Sequence, residues 1–298
     1  MKQNKHIKTV SLVLGSGGAR GYAHIGIINW LNEHGFKIRS ISGCSIGALV
    51  GGIYATGNLD VYSKWAQALE KSDVIRLLDF SFSQRGLFKG ERIINVLKEM
   101  IGDYNIEDLP ISYTSVATDI NNQKEVWITQ GPLFDAIRAS IAIPMIFTPH
   151  EYLGMQLVDG SVVNPIPIAP TLNDKTDITI AVDPNGKPEQ VSVPQLAPET
   201  NTTQNGTNYR KKITDFLSGL RSKSERENTN SISAYDLVSK TTEAMQSRIT
   251  ALQLAAYTPD VVISIPRNFC SFYEFYRARE IINAGYDKAN NALSKFNS

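Results

Sequence analysis

Along the first 57 residues the apolar pattern switches repeatedly between the spacing of strands and that of helices. Thr9 to Leu14 reads as a buried first strand. It runs into a glycine-rich stretch, Gly15 to Gly21, after which Tyr22 to Glu33 carries apolar residues at helical spacing and is closed by Gly35. A short strand is predicted over Ile38 to Ser42. Ile46 to Ala55 then reads as an apolar, small-residue helix that Gly57 terminates. This order of strand, loop, helix, strand, turn and helix predicts an α/β fold. The expected architecture is a mostly parallel central sheet flanked by helices in three layers.

Further along, Leu59 to Leu78 is predicted helical, Asp79 to Gly90 a loop, and Glu91 to Ile101 a helix. Strands are expected over Ile111 to Ala117 and Glu125 to Thr129, with a helix over Pro132 to Ala139. Pro144 and Pro149 break the segment that follows. Met155 to Val158 forms a short strand ending in Asp159-Gly160, and Asp177 to Val182 another buried strand. From Pro184 to about Asn230 the composition changes. Pro194 to Thr207 is dominated by Pro, Asn, Thr, Gln and Ser and is expected to be mobile. Tyr209 to Lys223 sets Ile213, Phe216, Leu217 and Leu220 among five basic residues. That spacing fits a basic amphipathic helix, either lying on an anionic membrane surface or covering its own domain. A long helix over Ser231 to Tyr257, a strand over Val261 to Ile265, and a capping box at Ser271 and Glu274 opening the last helix complete the chain. The expected organisation is one domain over residues 1–298. Its motif core spans about 9–182, a flexible insertion about 184–230, and C-terminal helices and a strand 231–298.

With 298 residues the chain can bury a full core. A net charge of +1 gives no reason to expect nucleic acid as a partner. The polar, basic stretch Met1 to Lys8 is followed by no long apolar run, which argues against a signal peptide, and no window is long and apolar enough for a membrane span. The two cysteines, Cys44 and Cys270, make no disulfide framework and fit a reducing compartment. The expected setting is cytoplasmic, with Tyr209 to Lys223 the candidate for peripheral contact at the inner face of the membrane.

Gly43-Cys44-Ser45-Ile46-Gly47 has the Gly-x-Ser-x-Gly form of a nucleophile elbow, and it lies between a predicted strand and a predicted helix, the context that motif requires. Cys44 is read as a small filler beside Ser45. A serine hydroxyl needs a base to take its proton and donors aimed at the developing oxyanion. The Gly15 to Gly21 loop offers unblocked amides at a helix N-terminus, and Arg20 adds a fixed positive charge or a structural ion pair. A dinucleotide fingerprint would need glycine at position 20, and no Gly-Lys-Ser/Thr follows, so a nucleotide site is disfavoured. For the base, a Ser–acid–His order would have to use His150 with an acid such as Asp119, since no histidine follows His150. The other candidate is Asp159 acting directly on Ser45, although an aspartate before glycine is also a common turn former. A carboxylate of ordinary pKa is a weak base for serine, so such a dyad requires burial or close hydrogen bonding.

Gly15-Ser16-Gly17-Gly18-Ala19-Arg20-Gly21, Gly43-Cys44-Ser45-Ile46-Gly47 and Asp159-Gly160-Ser161 together resemble, in order and placement, the patatin-like phospholipases. Arg138 to Pro144 and Val163 to Pro167 are similar to segments of that family too, and the resemblance extends over about Thr9 to Val182. It implies a serine acyl hydrolase acting on lipid esters without metal or cofactor. Ser45 would be the nucleophile, Asp159 the base, and the Gly17 and Gly18 amides, with Arg20 beside them, the oxyanion site. Ser16 stands where the family often has glycine, and Ser161 where glycine or alanine is usual. The rival from another class is a non-catalytic or regulatory protein that keeps the fold and binds lipid or a partner.

Overall fold

The computed structural model describes residues 8–79, 81, 86–189 and 234–296. In chain order the first elements are β1 (Thr9–Leu14), α1 (Ala23–Glu33), β2 (Lys37–Cys44), α2 (Ile46–Ala55), α3 (Leu59–Ala68) and α4 (Lys71–Arg76). Next come β3 (Gly86–Phe88), α5 (Glu91–Ile101), β4 (Ser112–Asp119), β5 (Lys124–Ile128) and α6 (Leu133–Ser140). The remainder are β6 (Met145–Phe147), β7 (His150–Tyr152), β8 (Met155–Asp159), β9 (Ile178–Gly186), α7 (Ala234–Tyr257), β10 (Val261–Pro266) and α8 (Ala278–Leu293). The expectations for the polar stretch 194–207 and the basic amphipathic helix 209–223 lie outside the described residues. Met1–Glu189 and Thr242–Ser298 form one compact unit, and Gln190–Thr241 a second.

The sheet of the first unit runs β10-β9-β1-β2-β4-β8-β7, with β5 also paired to β4. The five strands from β10 to β4 are parallel, whereas β5 and β8 run antiparallel to β4 and β7 antiparallel to β8. The result is a three-layer α/β/α fold with a mostly parallel sheet. Strand β1 explains why its sequence is apolar at successive positions. Leu12 and Leu14 enter the main core, whereas Val13 joins a second cluster with Ile166, Ile168 and Ala181, against which Leu254 and Tyr257 of α7 pack. A strand covered on both faces has no side that prefers polar residues.

Several elements differ from the periodicity-based expectation. The predicted helix over Leu59 to Leu78 is two helices, parted at Leu69, whose backbone is extended, and restarted by a capping box between Glu70 and Asp73. Within the predicted loop Asp79 to Gly90, β3 pairs in parallel with β6, which lies between the two helix-breaking prolines. Strands β3, β6 and β7 hold three residues each, too few for a period to register. The Ser271–Glu274 half-box exists, with Glu274 accepting from the Ser271 amide at 2.9 Å, but a 3-10 turn over Phe275–Arg277 intervenes and α8 begins only at Ala278.

Helices α1 and α8 cross at glycine on both sides. A Cβ on Gly26 would fall 1.9 Å from the Ile282 carbonyl oxygen, and one on Gly285 would fall 2.1 Å from that of Ala23. Neither obstacle is a flexible side-chain end, so the helices must separate to admit even a methyl group. Gly285→Ala is therefore expected to destabilise the fold by about 2 kcal/mol or more despite its better helix propensity. The urea midpoint reads this directly; an unchanged or raised midpoint would contradict the close crossing.

Candidate active site

Strand β2 ends at Cys44 and α2 begins at Ile46, so Ser45 carries the whole change of direction. It does so with φ 56° and ψ −124°, a backbone region that non-glycine residues seldom occupy. The neighbouring glycines make the turn possible. A Cβ at Gly47 would lie 2.0 Å from the Leu14 carbonyl oxygen at the end of β1, and one at Gly43 would lie 2.6 Å from the backbone of Ala48. Strain of this kind persists only where the surroundings enforce it, and the Ser45 hydroxyl makes no capping bond to its own helix.

Asp159 arrives from the opposite direction. In the parallel pairing of β2 with β4, Cys44 faces Val116; the antiparallel pairing of β8 begins at the next residue, with Asp159 facing Ala117. The C-terminal ends of β2 and β8 therefore meet along β4. Ser45 Oγ donates to Asp159 Oδ2 at 2.6 Å, and the Ser161 amide donates to Oδ1 at 2.8 Å. Both residues of the pair are buried, Ser45 at 4% and Asp159 at 1% exposure. Burial raises the Asp159 pKa above the ordinary carboxylate value; the hydrogen bonds from Ser45 and Ser161 pull against it. The Cys44 thiol lies 3.9 Å from Oδ1 and is itself pushed well up in pKa by burial, so it stays protonated as a small filler.

Ser140, at the end of α6, holds the elbow in place. Its hydroxyl accepts the Ser45 amide proton at 2.8 Å and donates to the Val116 carbonyl at 2.6 Å. One buried hydroxyl thus ties the turn to β4 at the residue where β2 stops. Thr118 does the same for the other half, donating to the Asp159 carbonyl at 3.0 Å. Ser140 falls within the Arg138 to Pro144 segment, but nothing in the spacing of that segment marks its hydroxyl as the elbow's acceptor.

The glycine loop lies beside the elbow: a Cβ on Gly47 would also crowd Gly15, and one on Gly21 would strike Ile46. The loop's own amides divide into two sets. Gly15, Ser16 and Ala19 donate to the carbonyls of Val182, Pro165 and Phe272. The Gly17 and Gly18 amides have no acceptor among the described residues, and Gly18 takes φ 57°. Arg20 is buried and directs its guanidinium to neutral oxygens at the end of β9 and just after β10. These are Pro184 O at 2.9 Å, Asn185 Oδ1 at 2.6 Å and Cys270 O at 3.2 Å. Its charge is fixed, but its donors brace the loop from behind rather than form an ion pair. His24, on α1, bonds through Nε2 to the Gly15 carbonyl at 2.9 Å; burial lowers its pKa to about 4, so the ring is neutral and supports the loop as a donor.

Among the described residues no hydrogen bond joins the parts of the histidine alternative. Asp119 closes the β4–β5 turn, accepting from the Asn121 and Asn122 amides and the Asn122 side chain. His150, on β7, pairs with Leu157 of β8, and Ser45 Oγ donates to Asp159 with no imidazole between them. Among the described residues no group of three or more His, Cys, Asp or Glu is placed to hold a metal ion, and no helix is long and apolar enough to cross a membrane.

The chain is similar to known proteins. Residues 12–172 match the Patatin family model, described as patatin-like phospholipase. An uncharacterized NTE family protein of Mycobacterium tuberculosis is 37% identical over 333 aligned residues, covering 96% of this chain and 92% of that protein. A neuropathy target esterase of Drosophila persimilis is 35% identical over 167 residues, covering 53% of this chain but only 12% of its own length. VipD of Legionella pneumophila, a solved structure, aligns at 13% identity and a TM-score of 0.48 over 97% of this chain and 67% of its own. With the family match spanning more than half its length and a relative aligned nearly end to end, the chain belongs to the patatin-like phospholipase family.

Proposed function

We propose that the protein is a serine acyl hydrolase that cleaves carboxylic ester bonds of phospholipids or lysophospholipids. Its base is Asp159 acting directly on Ser45. The observation that carries this reading is the 2.6 Å hydrogen bond from Ser45 Oγ to Asp159 Oδ2, made by a serine held at positive φ. A lipid ester substrate is supported by the family and by the esterase named among the relatives.

In this reading Asp159 Oδ2 takes the proton of Ser45 as Oγ attacks the acyl carbonyl carbon. The carbonyl oxygen becomes an oxyanion facing the Gly17 and Gly18 amides, the uncommitted donors of the loop, at the start of the 3-10 turn Gly18–Tyr22. Arg20 adds positive potential and keeps those amides in place through Pro184, Asn185 and Cys270. Collapse of the tetrahedral species expels the alkoxide, which collects the proton from Asp159. Water then gives its proton to Asp159 and attacks the acyl-serine, releasing a fatty acid and restoring the hydroxyl. Desolvation makes this possible without histidine, because a carboxylate with a raised pKa is a stronger base than one in water.

The direct test is labelling by a fluorophosphonate probe together with hydrolysis of lysophosphatidylcholine. Ser45→Ala should lose both, and Asp159→Asn should lower turnover by about a thousandfold or more; a fully active Asp159→Asn would refute the dyad. Since Asp159 must be ionised to accept the proton, activity should be full above its raised pKa and fall as pH drops through it. The acid limb of kcat/KM should thus stand above the ordinary carboxylate value of about 3.9. Ser140→Ala should retain the fold at a cost of about 1–3 kcal/mol, since it leaves a buried amide and a buried carbonyl unpaired. Its kcat should fall on the order of 10- to 100-fold as the elbow loosens; denaturation and steady-state kinetics measure the two effects separately.

A further inference from the structure

The Asp159 carboxylate receives the Ser45 hydroxyl on Oδ2 and the Ser161 amide on Oδ1. Ser161 stands two residues on, 8% exposed, its amide donating to Oδ1 at 2.8 Å. Behind it lies Gln246 of α7, outside the family-matched region 12–172. Gln246 Nε2 lies 3.2 Å from the Ser161 carbonyl oxygen and 3.0 Å from its hydroxyl oxygen. The carbonyl can only accept, so the amide nitrogen rather than the amide oxygen must face Ser161. The hydroxyl therefore accepts from Gln246 as well, which leaves its single proton for another acceptor. The charged acceptor beside Ser161 is Asp159, whose Oδ1 already takes the Ser161 amide at 2.8 Å.

We infer that Gln246 is a positioning residue for the base, locking the Ser161 hydroxyl so that Ser161 offers both its amide and its hydroxyl proton to the Asp159 carboxylate. The inference rests on the Ser45–Asp159 reading above. Few other groups compete for that carboxylate. Titratable side chains on the surrounding elements include Cys44 on β2, Asp119 on β4, Lys124 and Glu125 on β5, Asp135 and Arg138 on α6, His150 and Glu151 on β7, and Glu243 and Arg248 on α7. Asp119 is taken up by its own turn, Glu125 receives Asn164, and Arg138 donates to the Lys89 and Thr148 carbonyls. Of the titratable side chains among the described residues, only Cys44, a weak donor, comes within hydrogen-bonding reach. The donors from Ser161 thus join the Ser45 hydroxyl as the counterweight to burial, and α7 controls one of them.

The test follows kcat/KM for hydrolysis of p-nitrophenyl butyrate from acid to neutral pH. Gln246→Leu frees the Ser161 hydroxyl to rotate, so the acid limb should move up by roughly half to one pH unit. Gln246→Glu should move it further, because a carboxylate there accepts the Ser161 proton and adds a like charge. Gln246→Met, of similar length, repeats the first substitution should Gln246→Leu fold poorly. Ser161→Ala should shift the limb in the same direction, and adding Gln246→Leu to it should shift it no further. A residue that merely packs α7 would lower stability and leave the limb in place. A limb in Gln246→Leu and Gln246→Met that superimposes on wild type would overturn the inference, as would a Gln246 effect that persists undiminished in the Ser161→Ala background. Activity that survives Asp159→Asn would remove the dyad itself, and the inference with it.

Discussion

The site depends on two strand ends meeting along one neighbour. In a parallel sheet all strands finish on the same side, so a residue at the end of one lies beside, never opposite, a residue at the end of the next. Strand β8 breaks that rule by running antiparallel to β4 where β2 runs out. Its last residue, Asp159, consequently points at the elbow. The β7–β8 hairpin, the Thr118 bond to the Asp159 carbonyl and the Ser140 bond to the elbow amide all serve this one junction. A mostly parallel fold gains from the antiparallel pairing of β8 with β4 a carboxylate set against its elbow serine.

The electrostatics follow from that placement. Asp159 reaches Ser45 inside the protein, where burial raises its pKa, and among the described residues no cation is paired with it. Histidine is present nearby in a different capacity. His24 is buried, neutral and bonded to the glycine loop, so the fold uses an imidazole to shape the loop and a carboxylate as the partner of the serine.

Much of this was legible in the chain. Strands β1 and β2, helices α1 and α2 and the elbow between Gly43 and Gly47 follow from apolar runs stopped by glycine, and each lies within a residue or two of the expected bounds, apart from the longer β2. The resemblance carried by three motifs pointed to Ser45 and Asp159, which the structure sets 2.6 Å apart. What was not legible depends on contacts between distant segments. Strands β3, β6 and β7 are too short to show a period and exist through their pairing partners. Ser140 and Gln246 look like ordinary helix residues until the fold sets one against the elbow amide and the other behind Ser161. Arg20 could be read from sequence as a charge near the oxyanion, but not as the brace that spans the ends of β9 and β10, because those segments lie more than 160 residues away.

The burial of Asp159 also affects how firmly the protein holds together. A carboxyl that binds its proton more tightly in the native state than in the unfolded chain favours the fold only while that proton is present. Its contribution is complete below the unfolded-state pKa and declines as pH rises through the native one. The ionised form, the one able to accept a proton from Ser45, is thus the form the fold tolerates less well. Replacing the carboxylate by a neutral group of the same shape would relieve that penalty, so the carboxylate bonded to the elbow serine is also one the rest of the molecule must be stable enough to carry.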